Sequence, residues 1–271
     1  MATDSQRVAQ AFERHYAQYD TDAVVQRHVA ARLDEAIGRF CPGLSVRRAL
    51  EIGIGTGFLT RLIAQRYPEA DWWFNDLSPA AFDWIPADLS RVQTLPGDAE
   101  HLPYPDGLDL IAAASALQWF DNLGAFFSKA FRVMNPGGLL AVASFAAGHF
   151  RELSALQPTP LRYPEAHALA DWAEHAGFRV LLCEGWTETL LFPTMRALLH
   201  HLRCTGVNGR STAAIRTPAQ LRRFEELYRE QSRLPADGHL PLSYCPVILL
   251  AFKPEHTAPA NFVTAPPPDF C

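Results

Sequence analysis

The chain has only five cysteines in 271 residues, Cys41, Cys183, Cys204, Cys245 and Cys271, and no two stand in a C-x-x-C pair. That scatter suggests neither a zinc site nor a disulfide framework and fits a reducing compartment. Lysines and arginines number 24 against 29 acidic residues, for a formal net charge of -5. Recognition of nucleic-acid phosphates usually leaves a basic footprint, so nucleic acid is not expected as a substrate. No apolar run approaches the roughly 18 residues of a membrane helix, and the polar start Ala2-Thr3-Asp4-Ser5-Gln6-Arg7 is no secretory signal, so a cytoplasmic protein without a membrane partner is expected. Internal repeats, a metal cluster, a nucleophile triad and a phosphate-binding lysine loop are likewise absent from the pattern. Apolar residues are plentiful: at 48% of the chain they suffice for the core of one large domain or two small ones.

Ala49-Leu50-Glu51-Ile52-Gly53-Ile54-Gly55-Thr56-Gly57-Phe58-Leu59-Thr60 reads as a buried strand, a glycine turn and a helix start. Glycines at these spacings permit backbone angles and close approaches that a β-carbon forbids, so a ligand can lie against the main chain. The spacing differs from the dinucleotide fingerprint, whose last glycine comes later and whose turn wraps a pyrophosphate. A second apolar strand, Asp71 to Ser78, carries Asp76 close to the roughly 20 residues past the first strand at which a ribose-binding acid is expected. Val92 to Pro96 leads to Gly97-Asp98-Ala99-Glu100, and Leu108 to Ala114 leads to Ser115-Ala116-Leu117-Gln118-Trp119-Phe120. Polar groups thus fall at the C-terminal ends of successive strands, where open α/β sheets bind ligands.

The flanks read as helical additions to this α/β sheet. Val8 to Phe40 has a broken apolar stripe of helical period, ended by Pro42-Gly43, and marks residues 1–44 as an N-terminal helical cap. A helix from Pro164 stops at Gly177, and Phe178 to Leu182 and Glu188 to Phe192 read as strands. Residues 45–253 form the main domain, with a helical insertion over about 193–239 placed to roof the cleft and Leu240 to Phe252 as the last strand. The proline- and alanine-rich tail, 254–271, has little to bury and is expected to be disordered.

From Glu51 to Phe145 the chain resembles the class I S-adenosylmethionine-dependent methyltransferases, and the resemblance implies their Rossmann-like fold, a mostly parallel seven-stranded sheet with helices on both faces. Three further segments, Phe12 to Gln26, Leu199 to Asn208 and Leu240-Pro241-Leu242-Ser243-Tyr244, together with Leu117-Gln118-Trp119-Phe120 and Gly148 to Leu153, are similar to the malonyl-acyl-carrier-protein O-methyltransferases of biotin synthesis. Glu51 stands where Asp is common in that family. The resemblance implies methylation of the free carboxylate of a malonyl thioester on acyl carrier protein or coenzyme A. It assigns Glu51, Gly53, Gly55, Asp76, Leu77, Asp98, Ala99, Ser115 and Gln26 to the cofactor, with Asp76 on the ribose hydroxyls and Asp98 on the adenine amino group. Arg203, Gln118, Trp119 and Tyr19 are the acceptor-side candidates. Arg203 is expected to hold the malonyl carboxylate in a planar fork; the alternatives are a surface helix residue or a contact to the carrier phosphate.

The chemistry agrees with these residue types. A carboxylate with a pKa of about 4 is already ionised at neutral pH and needs no general base, so alignment must supply the rate. The insertion carries Arg196, Arg203, Arg210, Arg216, Arg222, Arg223, Arg229 and Arg233, a local positive excess suited to steering an acidic carrier protein or merely to solvation. A carboxyl methyltransferase of a free aconitate-type acid and a non-catalytic cofactor-binding protein are the competing readings; the oligomeric state is left open.

Overall fold

The computed structural model describes residues 16–154, 156, 161, 163–205, 217–232 and 234–255. Of the segments singled out above, Val8 to His15, Gly206 to Asn208, Arg210, Arg216, Arg233 and the tail from His256 lie outside these residues. The described elements are α1 (Tyr16–Asp22), α2 (Val24–Phe40), β1 (Arg48–Ile52), α3 (Phe58–Arg66), β2 (Asp71–Asp76), β3 (Val92–Pro96), β4 (Leu108–Ala114), α4 (Leu123–Val133) and β5 (Met134–Phe145), then α5 (Arg151–Ser154), α6 (Ala166–His175), β6 (Arg179–Gly185), β7 (Glu188–Phe192), α7 (Met195–Cys204), α8 (Pro218–Gln231), β8 (Leu240–Tyr244) and β9 (Pro246–Phe252). No helix among them is long and apolar enough to cross a membrane.

Seven strands form one sheet in the order β3-β2-β1-β4-β5-β9-β6, in which β9 alone runs antiparallel to its neighbours. The expected Rossmann-like sheet is therefore observed. Alternate side chains of each strand point to opposite faces, and both faces are covered, which is why β1, β4 and β5 read as nearly continuous apolar runs. Ala49, Trp72, Phe74, Leu110 and Ala112 face a core that includes Val29, Leu33 and Ile37 of α2 and Ile63 of α3. Leu50, Ile52, Ile111 and Ala113 face the other, with Phe126 and Phe127 of α4 and Leu169 of α6. Burying one such large apolar side chain stabilises the fold by about 1.5 to 3 kcal/mol. The strand order reverses between β1 and β4, and that reversal opens a crevice at their C-terminal ends.

The last segment differs from the single strand expected over Leu240 to Phe252. It divides at Cys245: β8 pairs with β7 in a separate two-stranded sheet, and β9 then enters the main sheet beside β5. Pro246 lacks an N–H and opens the second strand at its end. Glu188 to Phe192 is a strand as expected, but its partner is β8 and not the main sheet. Helix α7 starts on Thr194, whose hydroxyl accepts from the Ala197 N–H at 3.1 Å, and it buries Met195, Leu198 and Leu202 against the α2 side of the core.

Candidate functional site

The crevice is walled by the turn after β1. Gly53, Gly55 and Gly57 all have positive φ, 69°, 53° and 75°. A β-carbon on Gly53 would lie 2.6 Å from the Ala116 Cβ, whereas one on Gly55 would meet nothing within 4 Å. Gly53 is thus required by packing, and Gly55 leaves an open backbone floor. Asp76 braces this turn: its Oδ2 accepts from the Gly55 N–H at 2.9 Å and its Oδ1 from the Ser78 N–H at 2.9 Å. Asp98 Oδ1 accepts from the Glu100 N–H at 3.0 Å, and the buried Asn75 amide donates to the carbonyls of Leu95 and Gly97, holding the β2 and β3 ends together.

All nine residues assigned to the cofactor, Glu51, Gly53, Gly55, Asp76, Leu77, Asp98, Ala99, Ser115 and Gln26, line this one cleft. Thr56, Phe58, Asn75, Ser78 and Phe120 also line it and were not anticipated. The position of Phe58, first residue of the helix after the glycine turn, could have suggested it. Four buried polar atoms here have no hydrogen-bond partner: Glu51 Oε2, Gln26 Oε1, Thr56 Oγ1 and Ser115 Oγ. Burial pushes the Glu51 carboxyl up to about 8 despite the opposing pull of the Arg61 guanidinium, so it stays largely protonated at neutral pH. Ser115, at φ 56°, holds a left-handed conformation that a non-glycine residue seldom takes.

A second, smaller cavity adjoins the first. Tyr19, Gln26, Ser115 and Trp119 line both, so these four residues stand at the junction. The rest of the second wall comes from Gln118, Phe145, His149, Phe150, Leu161, Tyr163, Thr205 and Tyr244, none of them acidic or cationic at neutral pH. Tyr19 stacks on Phe58, ring centroids 6.1 Å apart, which carries α1 over the cleft. Gln118 is held by its side chain, which donates to the Ser115 carbonyl at 2.6 Å. The Tyr244 hydroxyl pairs with His201 Nε2 at 2.6 Å, and both residues are buried.

Arg203 does not line either cavity; its side chain is exposed on α7. It shares a solvent stripe with Arg196 and His200, at helical spacing opposite the buried Met195, Leu198 and Leu202. That periodicity was present in the sequence and could have placed Arg203 outward. Arg223 pairs with Glu226 and Arg229 with Glu225 on their own helix. His149 and Tyr163 entered the sequence reading, at most, as part of a similar stretch, since no local pattern shows that they converge. The same is true of Asp22, His200 and Cys204, whose potential metal-ligating atoms lie within 4.8 Å of one another where α1 meets α7. Burial raises the Cys204 thiol pKa, favouring the protonated form.

A family profile described as "Methyltransferase domain" matches residues 50–142, the stretch from β1 into β5. Among solved structures, the geranyl diphosphate C-methyltransferase of Streptomyces coelicolor A3(2), in complex with S-adenosyl-L-homocysteine, superposes with a TM-score of 0.52 at 13% identity over 82% of this chain and 77% of that one. The cyclase SpnF does so with 0.52 at 22% identity over 82% and 80%. At such identities the likeness carries the fold alone, and a cyclase on this fold makes the point. Sequence relatives say more. The malonyl-acyl-carrier-protein O-methyltransferase of Porphyromonas gingivalis is 32% identical over 252 residues, 92% of this chain and 96% of that one. That of Haemophilus influenzae is 32% identical over 251 residues, 92% and 95%. With such identity along nearly the whole length of both, and a glycine-turn cleft where the methyltransferase profile matches, the chain belongs to the malonyl-acyl-carrier-protein O-methyltransferase family.

Proposed function

We propose that this enzyme methylates the free carboxylate of a malonyl thioester on acyl carrier protein, with S-adenosylmethionine as donor, giving the methyl ester that biotin synthesis elongates. The observation that carries this reading is the meeting of two cavities, one walled by the glycine turn and the acids at strand ends and one aromatic and neutral, at Tyr19, Gln26, Ser115 and Trp119. The residues present fit the cofactor: Gly55 leaves room against the backbone, and Asp76 and Asp98 stand at the ends of β2 and just beyond β3. The orphaned Glu51 and Gln26 oxygens are acceptors suited to a bound ammonium group. When bound, S-adenosylmethionine would supply an electrophilic sulfonium methyl with a neutral thioether as leaving group, which an ionised carboxylate could accept with no proton exchanged.

The protein's own part is therefore to align and dehydrate. A carboxylate that is already ionised needs no base, and the second cavity offers none, since burial pushes the His149 imidazole down to about 3. Gln118 and Ser115 fix the floor between the cavities, and Tyr19 and Trp119 close its sides. Positioning of this kind can remove several kcal/mol of the barrier. Exclusion of water by an aromatic wall strengthens the interactions that remain. Arg203 lies two residues before Thr205, which lines the second cavity, and with the exposed Arg196 and Arg222 it suits the approach of an acidic carrier protein.

The test is mass spectrometry of malonyl-loaded acyl carrier protein incubated with the enzyme and S-adenosylmethionine. One added methyl on the malonyl group is the expected result. Faster methylation of a free tricarboxylic acid than of malonyl carrier protein or malonyl-coenzyme A would overturn the reading.

A further inference from the structure

We propose that the aromatic cavity is the binding pocket for the acceptor's carboxylate, and that the Nε2–H of His149 donates to the carboxylate oxygen that does not attack the methyl. The inference rests on the methyl-transfer reading above and names the group that orients its substrate.

The geometry starts from a constrained turn. Gly148 and Phe150 flank His149 with φ of 88° and 54°, a pair of left-handed residues that places the imidazole inward. The turn is tied to the β8–β9 junction at several points: the Phe150 N–H donates to the Ser243 carbonyl at 2.7 Å, and Glu152 accepts from the Ser243 N–H at 3.0 Å and from its hydroxyl at 2.5 Å. The Cys245 N–H donates to His149 Nδ1 at 3.3 Å. A nitrogen that accepts cannot carry the ring proton in the neutral tautomer, so the proton is on Nε2.

That second nitrogen has no hydrogen-bond partner among the described residues, although His149 is only 4% exposed and lines the cavity. Four rings hold the imidazole in place: Phe150, Phe145, Tyr163 and Tyr244, with centroids 3.9, 4.2, 4.6 and 5.0 Å away. A ligand oxygen that accepts from this N–H gains, in a site largely screened from water, a hydrogen bond for which no described residue competes. Burial keeps the ring neutral. A neutral donor fits this reaction better than an arginine fork: it orients the carboxylate without bracketing both oxygens, leaving one free to attack the sulfonium methyl.

The test uses the full chain with malonyl-loaded acyl carrier protein. His149→Phe keeps an aromatic ring and removes the donor, while His149→Gln restores an N–H near the same place. Cofactor affinity should change by less than about twofold in both, because His149 does not line the cofactor cleft. Turnover should fall at least about tenfold in the Phe variant and recover largely in the Gln variant. A second measurement needs no variant: in wild-type protein with 15N-labelled histidine and S-adenosylhomocysteine, malonyl carrier protein should shift the Nε2–H resonance of His149. If wild-type enzyme methylates malonyl carrier protein but the Phe variant keeps its turnover, or the resonance does not move, the His149 assignment is overturned and the methyl-transfer reading stands. If wild-type enzyme adds no methyl, the methyl-transfer reading itself falls, and this inference with it.

Discussion

The two adjoining cavities are built in opposite ways. The cofactor cleft is made of consecutive turns at strand ends, each written as a short local motif, and its shape is held largely by backbone N–H groups bonded to Asp76, Asp98 and their neighbours. The acceptor cavity is made of side chains from separate segments: α1 and α2, the turns after β4 and β5, the residues around Tyr163, the end of α7 and the end of β8. The first is a common platform. The second is assembled by tertiary packing, so its chemistry can change without disturbing the platform.

The sharpest way to break the platform alone is Gly53→Ala. The added methyl would press on Ala116 and force φ 69° on a residue with a β-carbon. Strain and overlap together should cost on the order of 3 kcal/mol of folding stability, read as a lowered melting temperature, and the displaced turn should weaken cofactor binding in calorimetry. Asp76→Ala comes next: two backbone N–H groups lose their acceptor, the ribose loses its own, and binding should weaken roughly tenfold to a hundredfold. Asp98→Asn should weaken binding less than Asp98→Ala, since an amide oxygen can still accept. Equal losses in the same calorimetric series would remove Asp98 from the adenine.

Glu51 offers a subtler probe, because its charge should depend on whether the cleft is filled. Its folded pKa of about 8 lies above the ordinary carboxyl value, so the cofactor-free protein binds this proton where the unfolded chain has lost it. Its contribution to stability is present below about pH 4.5 and is lost as pH rises toward 8. A cationic cofactor favours the ionised form, so binding should release a proton. Affinity should rise with pH by up to about tenfold per unit below 8 and level off above it. Calorimetry in buffers of different ionisation enthalpy reads the proton directly, and Glu51→Gln should abolish both trends. The smallest effect is expected from Arg203→Ala: turnover within about twofold of wild type, with a raised Michaelis constant for carrier protein that depends less on salt. A large loss of turnover in Arg203→Lys, with cofactor affinity intact, would instead restore the carboxylate fork.

The same contrast explains what could be read in the chain. The strand, glycine turn and acid spacing are local, and all nine residues assigned to the cofactor line one cleft. Gln118, Trp119 and Tyr19 reach the second cavity because each sits near that platform. His149 and Tyr163 were not legible as site residues, since nothing within a few residues of either tells which strand it will meet. Arg203 shows the limit of a motif without a direction: the stretch marks a helix, but only the buried stripe of Met195, Leu198 and Leu202 says which way a side chain points. The division of Leu240 to Phe252 at Cys245 escaped for a similar reason, because two strands in different sheets read as one apolar run.

That division has a mechanical side. The chain leaves the main sheet at Gly185 and returns at Pro246, and these points lie together: Gly185 is registered with Val247, and the Trp186 N–H donates to the Pro246 carbonyl at 3.0 Å. The two ends of the excursion thus meet at one point on the sheet, while its described middle is anchored elsewhere, α7 against the α2 side of the core and Ser243 of β8 on Glu152. An excursion whose two ends are already neighbours can lengthen, shorten or be exchanged for another without altering the register of β6, β9 or β5. The excursion brings Thr205 and Tyr244 to the second cavity, so a single insertion point is one place where the same platform could be fitted to new acceptors.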